Sequence, residues 1–177
     1  MTEIQTAHTA DLCATTLDAA WELLVDAFEG DISTDDWEHA LGGIHALAWD
    51  DGELVGHASV IQRRLLHDDR ALRTGYVEGV GVRADYRRRG VGLALMSELE
   101  RFIRGGFELG ALGATDNGAK MYKALGWRLW EGPLSALTPS GVQRTPDVEG
   151  AIYVLEVGGG LDVTGELTCD WRGGDVW

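Results

Sequence analysis

Residues 76 to 104 join a glycine-containing strand, an arginine-rich glycine turn and the start of an amphipathic helix. The turn reads Arg87-Arg88-Arg89-Gly90-Val91-Gly92 and runs into Leu93, Leu95, Leu99 and Ile103. Backbone N–H groups at a helix N-terminus lack acceptors and carry partial positive charge, so they can bind phosphate. Gly90 and Gly92 lack a Cβ, which would let a phosphate approach the main chain. The arginines would add charge-assisted hydrogen bonds. The spacing is not GxGxxG, and it lacks the Lys-Ser/Thr ending of a nucleotide P-loop. Taken alone, the turn reads equally well as a solvated surface turn.

The elements that must hold this turn are legible from periodicity. Leu17, Trp21, Leu24, Val25 and Phe28 recur at helical spacing over residues 15–29, and Gly30 stops the run. Their aromatic stripe reads as core. Ser33 looks like an N-cap with Asp36 three residues on, so a short helix is expected through Trp37 and Leu41, ended by Gly42-Gly43. Residues 44–49, 54–66 and 71–82 read as an antiparallel meander, turned at Asp50-Asp51-Gly52 and at His67-Asp68-Asp69-Arg70. Gly79 and Gly81 in its last strand imply a bulge or a close backbone approach. After the arginine turn come a helix to Gly105-Gly106, a strand over 107–112, a helix over 119–125 capped by Gly126, and a strand over 127–130. Beyond it Pro133, Pro139 and Pro146 punctuate a looser stretch, with 152–157 its one clear strand and 158–160 a flexible link. The last residue is Trp177, which implies a docked tail.

Composition bounds the answer. With 177 residues, 45% hydrophobic and 25% charged, the chain is expected to be one globular domain, 1–177. It carries 29 acidic and 15 basic side chains, for a formal net charge of -14. That field disfavours nucleic acid and anionic membranes and makes a cationic partner the first to test, although solubility alone would also explain it. No run is long and apolar enough to span a bilayer, and the first residues lack the pattern of a secretory signal. Cys13 and Cys169 are therefore expected as free thiols in the cytoplasm. They and the five scattered histidines show no metal-ligand spacing, so no metal is expected.

Arg87-x-x-Gly90-x-Gly92, preceded by the meander and followed by helix, strand, helix and strand, resembles the acetyl-CoA pyrophosphate loop of the GNAT superfamily of N-acetyltransferases. The resemblance narrows further. Gly30-Asp31, Asp36-Trp37-Glu38-His39, Leu41-Gly42-Gly43, Ile61-Gln62-Arg63-Arg64, Gly75-Tyr76-Val77-Glu78-Gly79 and the ending Cys169-Asp170-Trp171-Arg172-Gly173-Gly174-Asp175-Val176-Trp177 look like the aminoglycoside 2′-N-acetyltransferases. The implied fold is α+β, with a central, mostly antiparallel, splayed mixed sheet flanked by helices. The strand before the loop is expected to splay at a bulge, with the pantetheine arm bonded to its backbone. Val80, Gly81, Val82, Arg87, Arg88, Arg89, Gly90, Val91 and Gly92 would then hold acetyl-CoA, and the Val80 N–H would polarise the thioester carbonyl.

The implied acceptor is a polycationic aminosugar antibiotic, acetylated at its 2′-amine in a ternary complex, and the implied assembly is a homodimer. A protonated amine cannot attack, so a base is needed, and the departing thiolate needs an acid. Glu78 is the candidate base, acting through bound water; strand alternation would point it to the same face as Val80. Tyr122 is the candidate acid, from its position on the helix after the fifth strand. Cys13 and Cys169 have no visible activating partner in the sequence, which favours direct transfer over a covalent enzyme intermediate. Glu78, Gly79, Asp31, Asp36, Asp147, Asp175 and Trp177 are the expected substrate contacts, the last through its terminal carboxylate; Asp36 has a competing role at the helix start. Two positions depart from the family's pattern. Gly113-Ala114-Thr115 stands where a serine-rich stretch is usual, so Thr115 would have to supply any hydroxyl contact. Val148 interrupts the acidic run after Pro146. Acetylation of another polyamine or a basic peptide, and acyl-CoA or drug binding without transfer, remain open on the sequence.

Overall fold

The amino-terminal strand β1 (Glu3–His8) and the strand β2 (Ile44–Asp50) pair antiparallel, with Glu3 opposite Trp49 and His8 opposite Ile44. The chain between them forms helices α1 (Ala14–Ala27) and α2 (Thr34–His39). The structure is a computed structural model that describes residues 2–177. It contains two units, one formed by residues up to 61 with 77–102, the other by 62–76 with 103–177. The long strands β3 (Glu53–His67) and β4 (Arg70–Val82) contribute to both.

In the first unit the strand order is β1-β2-β3-β4. Asp51 and Gly52, at φ 49° and 80°, make the two-residue turn from β2 to β3. Two left-handed residues there match the right-handed twist of paired strands, which is why Asp-Gly suits the position. Ser33 caps α2 as its sequence implied: its Oγ accepts from Asp36 N–H at 3.2 Å and Asp36 Oδ2 accepts from Ser33 N–H at 2.8 Å. Helix α3 (Val91–Gly106) begins in this unit. On α1 the buried residues are Ala20, Leu23 and Leu24, whereas Trp21, Val25 and Phe28 are half-buried. The expected aromatic stripe is thus not the core face. Alanine and leucine, not the aromatic residues, face inward, where the backbone of β4 comes close. A Cβ on Gly81 would meet Leu24 Cδ2 at 2.7 Å and the Ala27 Cβ at 3.2 Å.

The second unit has the strand order β6-β9-β5-β4-β3-β10-β7-β8, its added strands being β5 (Leu109–Gly113), β6 (Arg128–Leu129), β7 (Leu134–Thr138), β8 (Gly141–Arg144), β9 (Ile152–Glu156) and β10 (Leu167–Cys169). Most neighbours are antiparallel; β4 with β5 and β7 with β10 are parallel. The β4–β5 pairing covers only Thr74, Gly75 and Tyr76, opposite Leu109, Gly110 and Ala111. Asp68 and Asp69, at φ 48° and 61°, turn β3 into β4. Helix α4 (Asp116–Ala124) starts before the expected residue 119, because Thr115 is its N-cap and accepts from Gly118 N–H at 3.3 Å. The stretch from 133 to 145, read as loose, forms the β7–β8 hairpin, and the strand read over 127–130 is only Arg128–Leu129. No helix among the described residues is long and apolar enough to cross a membrane.

Candidate active site

In the first unit the backbone of β4 and of the turn after it carries the candidate chemistry. Gly79 has φ 55°, a left-handed residue inside a strand. Only glycine takes this conformation without steric cost. Of the two sequence alternatives, the close backbone approach occurs, at Gly81, while Gly79 is a left-handed residue within the strand. The Gly79 conformation interrupts strand alternation, so the expectation that Glu78 and Val80 share a face by period 2 does not carry across it. Glu78, Gly79 and Val80 are all half-buried, and the Glu78 carbonyl accepts from Ser59 Oγ at 3.4 Å.

After β4 the chain curls through Arg88 at φ 60° and Gly90 at φ 85°. The first helical bond of α3 runs from Ala94 N–H to the Gly90 carbonyl at 3.0 Å. The N–H groups of Val91, Gly92 and Leu93 therefore have no acceptor within the helix, which makes an anion-binding end. A Cβ on Gly90 would meet nothing within 4 Å, so the approach is open. Arg87 braces the turn, donating from Nε to the Val82 carbonyl at 3.1 Å and from Nη2 to the Ala27 carbonyl at 2.9 Å. Arg89 lies 5.1 Å over the Tyr86 ring, and Tyr86 O–H donates to Asp50 Oδ2 at 2.8 Å. Arg88 and Arg89 are exposed.

Asp31, the first of the expected substrate carboxylates, is exposed in the loop after α1. Asp36 is half-buried, and its Oδ2 accepts from both the N–H and the Oγ–H of Ser33 at 2.8 Å. Sequence reading singled out neither His45 nor His57 as functional. Both are fully buried in the first unit, and Trp37 lies against both rings. His45 Nδ1 is 2.9 Å from His57 Nε2, and His57 Nδ1 is 2.7 Å from the Gly79 carbonyl oxygen. Burial, aided by His8, pushes His45 down to about 4; burial, aided by His45 and opposed by the Gly79 carbonyl, pushes His57 down to about 3. Ala46 lies opposite Ala58 and the two histidines flank that pair diagonally on adjacent strands, a relation that only the strand register reveals.

In the second unit Tyr122 is buried on α4, with the Trp127 and Tyr153 rings at 6.2 and 6.5 Å. Burial pushes its phenol up to about 12. The tail is docked. Trp177 is buried, its Nε1–H donates to Thr145 Oγ1 at 2.8 Å, and its N–H donates to Asp175 Oδ1 at 3.1 Å. Thr145 precedes the turn Pro146–Val148 that carries exposed Asp147, so Trp177 and Asp147 are brought to one neighbourhood. Arg63, 3% exposed, grips the tail: Nε donates to Asp170 Oδ1 at 2.7 Å and Nη2 to the Val176 carbonyl at 2.7 Å. Its guanidinium lies 4.6 Å over the Tyr76 ring.

The two thiols differ. Burial raises Cys169 to about 11, whereas the hydroxyls of Thr15 and Thr16 lower exposed Cys13 to about 7. The sequence had shown no partner for Cys13; the structure supplies these two. Among the described residues no group of three or more His, Cys, Asp or Glu could hold a metal ion.

The family described as acetyltransferase (GNAT) matches residues 14–127. An aminoglycoside 2′-N-acetyltransferase from Mycolicibacterium fortuitum is 52% identical over 174 residues, covering 96% of this chain and 89% of that protein. Among solved structures, a GNAT family N-acetyltransferase from Escherichia coli in complex with CoA matches with a TM-score of 0.66 at 19% identity, over 95% of this chain and 89% of that one. A GNAT family acetyltransferase from Brucella melitensis in complex with acetyl-CoA matches with a TM-score of 0.64 at 15% identity, over 94% of each chain.

Proposed function

The chain belongs to the acetyltransferase (GNAT) family, and from that premise we propose that it transfers the acetyl group of acetyl-CoA to the 2′-amine of aminoglycoside antibiotics. The observation that carries the reading is likeness to an aminoglycoside 2′-N-acetyltransferase at 52% identity across 96% of the chain. Conferring resistance to these drugs follows from that chemistry, since an acetylated amine loses its positive charge.

The residues fit the donor. The open helix end at Gly90, with exposed Arg88 and Arg89 beside it, suits the CoA pyrophosphate, and Arg87 keeps the turn curled. The main chain of Val80, Gly81 and Val82 would bond the pantetheine arm as an added strand does. Glu78, through water, takes a proton from the ammonium. The freed amine attacks the thioester carbonyl, and the Val80 N–H stabilises the oxyanion that forms. As the C–N bond forms and the C–S bond breaks, the thiolate takes a proton from Tyr122, and the second proton that the attacking nitrogen must shed leaves through water and restores the phenol. A phenol at about 12 is fully protonated at neutral pH, as that role requires. Amine and donor meet directly, with no acyl-enzyme. Cys169 is buried and protonated, and Cys13 is exposed at the start of α1.

Asp31, Asp36, Asp147 and Asp175 are the carboxylates we assign to the aminosugar. Trp177, docked on Thr145 and bonded to Asp175, would add its terminal carboxylate beside Asp147 and Asp175. Asp36 divides its carboxylate between this role and the helix cap, and Thr115 is engaged as a cap, so a hydroxyl contact from it would compete with that bond. The enzyme is read as a single cytoplasmic domain that works as a homodimer, with no nucleic-acid or membrane partner.

Thiol release from acetyl-CoA tests the reading. Tobramycin, which has a 2′-amine, should turn over, whereas kanamycin A, with a 2′-hydroxyl, should not. Equal turnover of the two, or none with tobramycin, would remove the assignment.

A further inference from the structure

The Gly79 carbonyl ends a run of polar groups that the chemistry above leaves unused, all within the first unit. Gly42 N–H donates to Thr9 Oγ1 at 2.8 Å, and Thr9 Oγ1 lies 2.8 Å from His45 Nε2. The run continues through the 2.9 Å contact between the two rings to the 2.7 Å contact with Gly79. With both rings held neutral by burial, only one set of protons satisfies it. A carbonyl oxygen can only accept, so His57 Nδ1 carries the hydrogen. His57 is neutral, so its Nε2 is bare and His45 Nδ1 must donate to it. His45 Nε2 is then bare in turn and takes the Thr9 hydroxyl proton, while the Thr9 oxygen takes the Gly42 N–H. The chain of donors runs one way, toward Gly79. Both rings are 0% exposed, and Trp37 covers them at centroid distances of 6.4 and 5.9 Å, so a charge on either would be strongly desolvated.

We propose that His45 and His57 are positioning residues, which hold the Gly79 carbonyl so that the Val80 N–H of the same peptide points at the thioester oxygen. A trans peptide is planar, and its C=O and N–H point in opposite directions. Anchoring one therefore aims the other. Gly79 needs the anchor because a glycine at φ 55° has little of its own to stop the peptide from rotating. A neutral pair suits the task better than a charged side chain would. It fixes direction without placing a cation beside the protonated amine. The inference rests on acetyl-CoA as the acyl donor and is independent of which amine accepts the acetyl group.

Infrared spectroscopy of acetyl-CoA, carbon-13-labelled at the thioester carbonyl and bound to the full chain, tests it. In the wild type the carbonyl stretch lies below that of free acetyl-CoA. In His57→Phe, which keeps a ring but no donor, the stretch returns toward the free value. With a 2′-amino acceptor, kcat then falls about 10-fold or more while the acetyl-CoA KM stays within about threefold. In His57→Asn, whose amide can donate from the position of Nδ1, most of both is retained. No shift in the wild type, or the same shift and kcat in His57→Phe, overturns the proposal. If His57→Phe does not fold, nitrogen-15 NMR of the wild-type rings decides: Nδ1–H on both supports the relay, and Nε2–H on either overturns it. A shifted stretch in a protein that acetylates no aminoglycoside would sink the substrate reading and leave the relay standing.

Discussion

The segment from Glu78 to Gly92 and the tail from Cys169 to Trp177 hold candidate binding groups by different means. In the first, main chain is the working surface. Gly79 is reversed, Gly81 lies against α1, and Gly90 opens a helix end. Neutral side chains, His57 and Ser59, accompany that backbone by donating to its carbonyls. In the tail, side chains are the working surface, and one buried cation clamps the backbone: Arg63 reaches both Asp170 and Val176. On the proposed function the difference would follow ligand chemistry. A phosphate and a thioester carbonyl are served by N–H dipoles, which need exact aim and no net charge. A polycation is served by carboxylates, which need a surface held in place but tolerate angular freedom.

Three changes would break or sharpen this contrast. The largest effect is expected at Glu78, the one side chain of the backbone-built segment given a proton to move. Glu78→Gln should lower kcat about 100-fold or more with the acetyl-CoA KM unchanged. Stopped-flow thiol release checks it, and an unaltered pH–rate profile would mean that the segment works through main chain alone. Next is the clamp. Arg63→Met removes a buried cation whose partner Asp170 keeps 41% of its side chain in solvent, so the loss of stability should be moderate, about 2 kcal/mol. The aminoglycoside KM should rise about 10-fold while that of acetyl-CoA stays put. Parallel rises in both, measured by steady-state kinetics, would erase the distinction between the two regions.

The smallest effect is on the pH dependence of stability. His57 is depressed to about 3 when folded, against an ordinary value near 6.5, so between about pH 4 and pH 6 the unfolded chain binds one more proton there. Stability must then rise with pH through that window and fall on acidification. The wild type should show a slope steeper than that of His57→Asn by about 1.4 kcal/mol per pH unit. Chemical denaturation at several pH values measures it. Equal slopes would mean that His57 already carries a proton in the fold.

Much of the first unit's local backbone was legible in the sequence, because glycine identity and turn chemistry are local. Asp51-Gly52, Ser33 with Asp36, Gly79 and Gly90 each declare a conformation through their own residue type. The tail's aromatic end also declared its docking. What stayed hidden depends on partners distant in sequence. The core face of α1 was misjudged because large residues normally mark it, and here the glycine backbone of β4 accepts only small ones and leucine. Strand β8 is exposed at every residue and so has no alternation to find. Arg63 sits beside Arg64 in an apparently solvated pair, although its period-2 relation to buried Leu65 and His67 did point inward. The histidine run requires the register of β2 on β3, which no local pattern supplies.

The central claim is that one amine of one ligand class is acetylated. Incubation of the protein with tobramycin and carbonyl-labelled acetyl-CoA, followed by heteronuclear NMR of the product, reads this directly. The account predicts a single amide, with its carbonyl coupled to the nitrogen on the 2′ carbon. Acetyl at any other amine, a mixture of positions, or unmodified drug beside intact acetyl-CoA would contradict it.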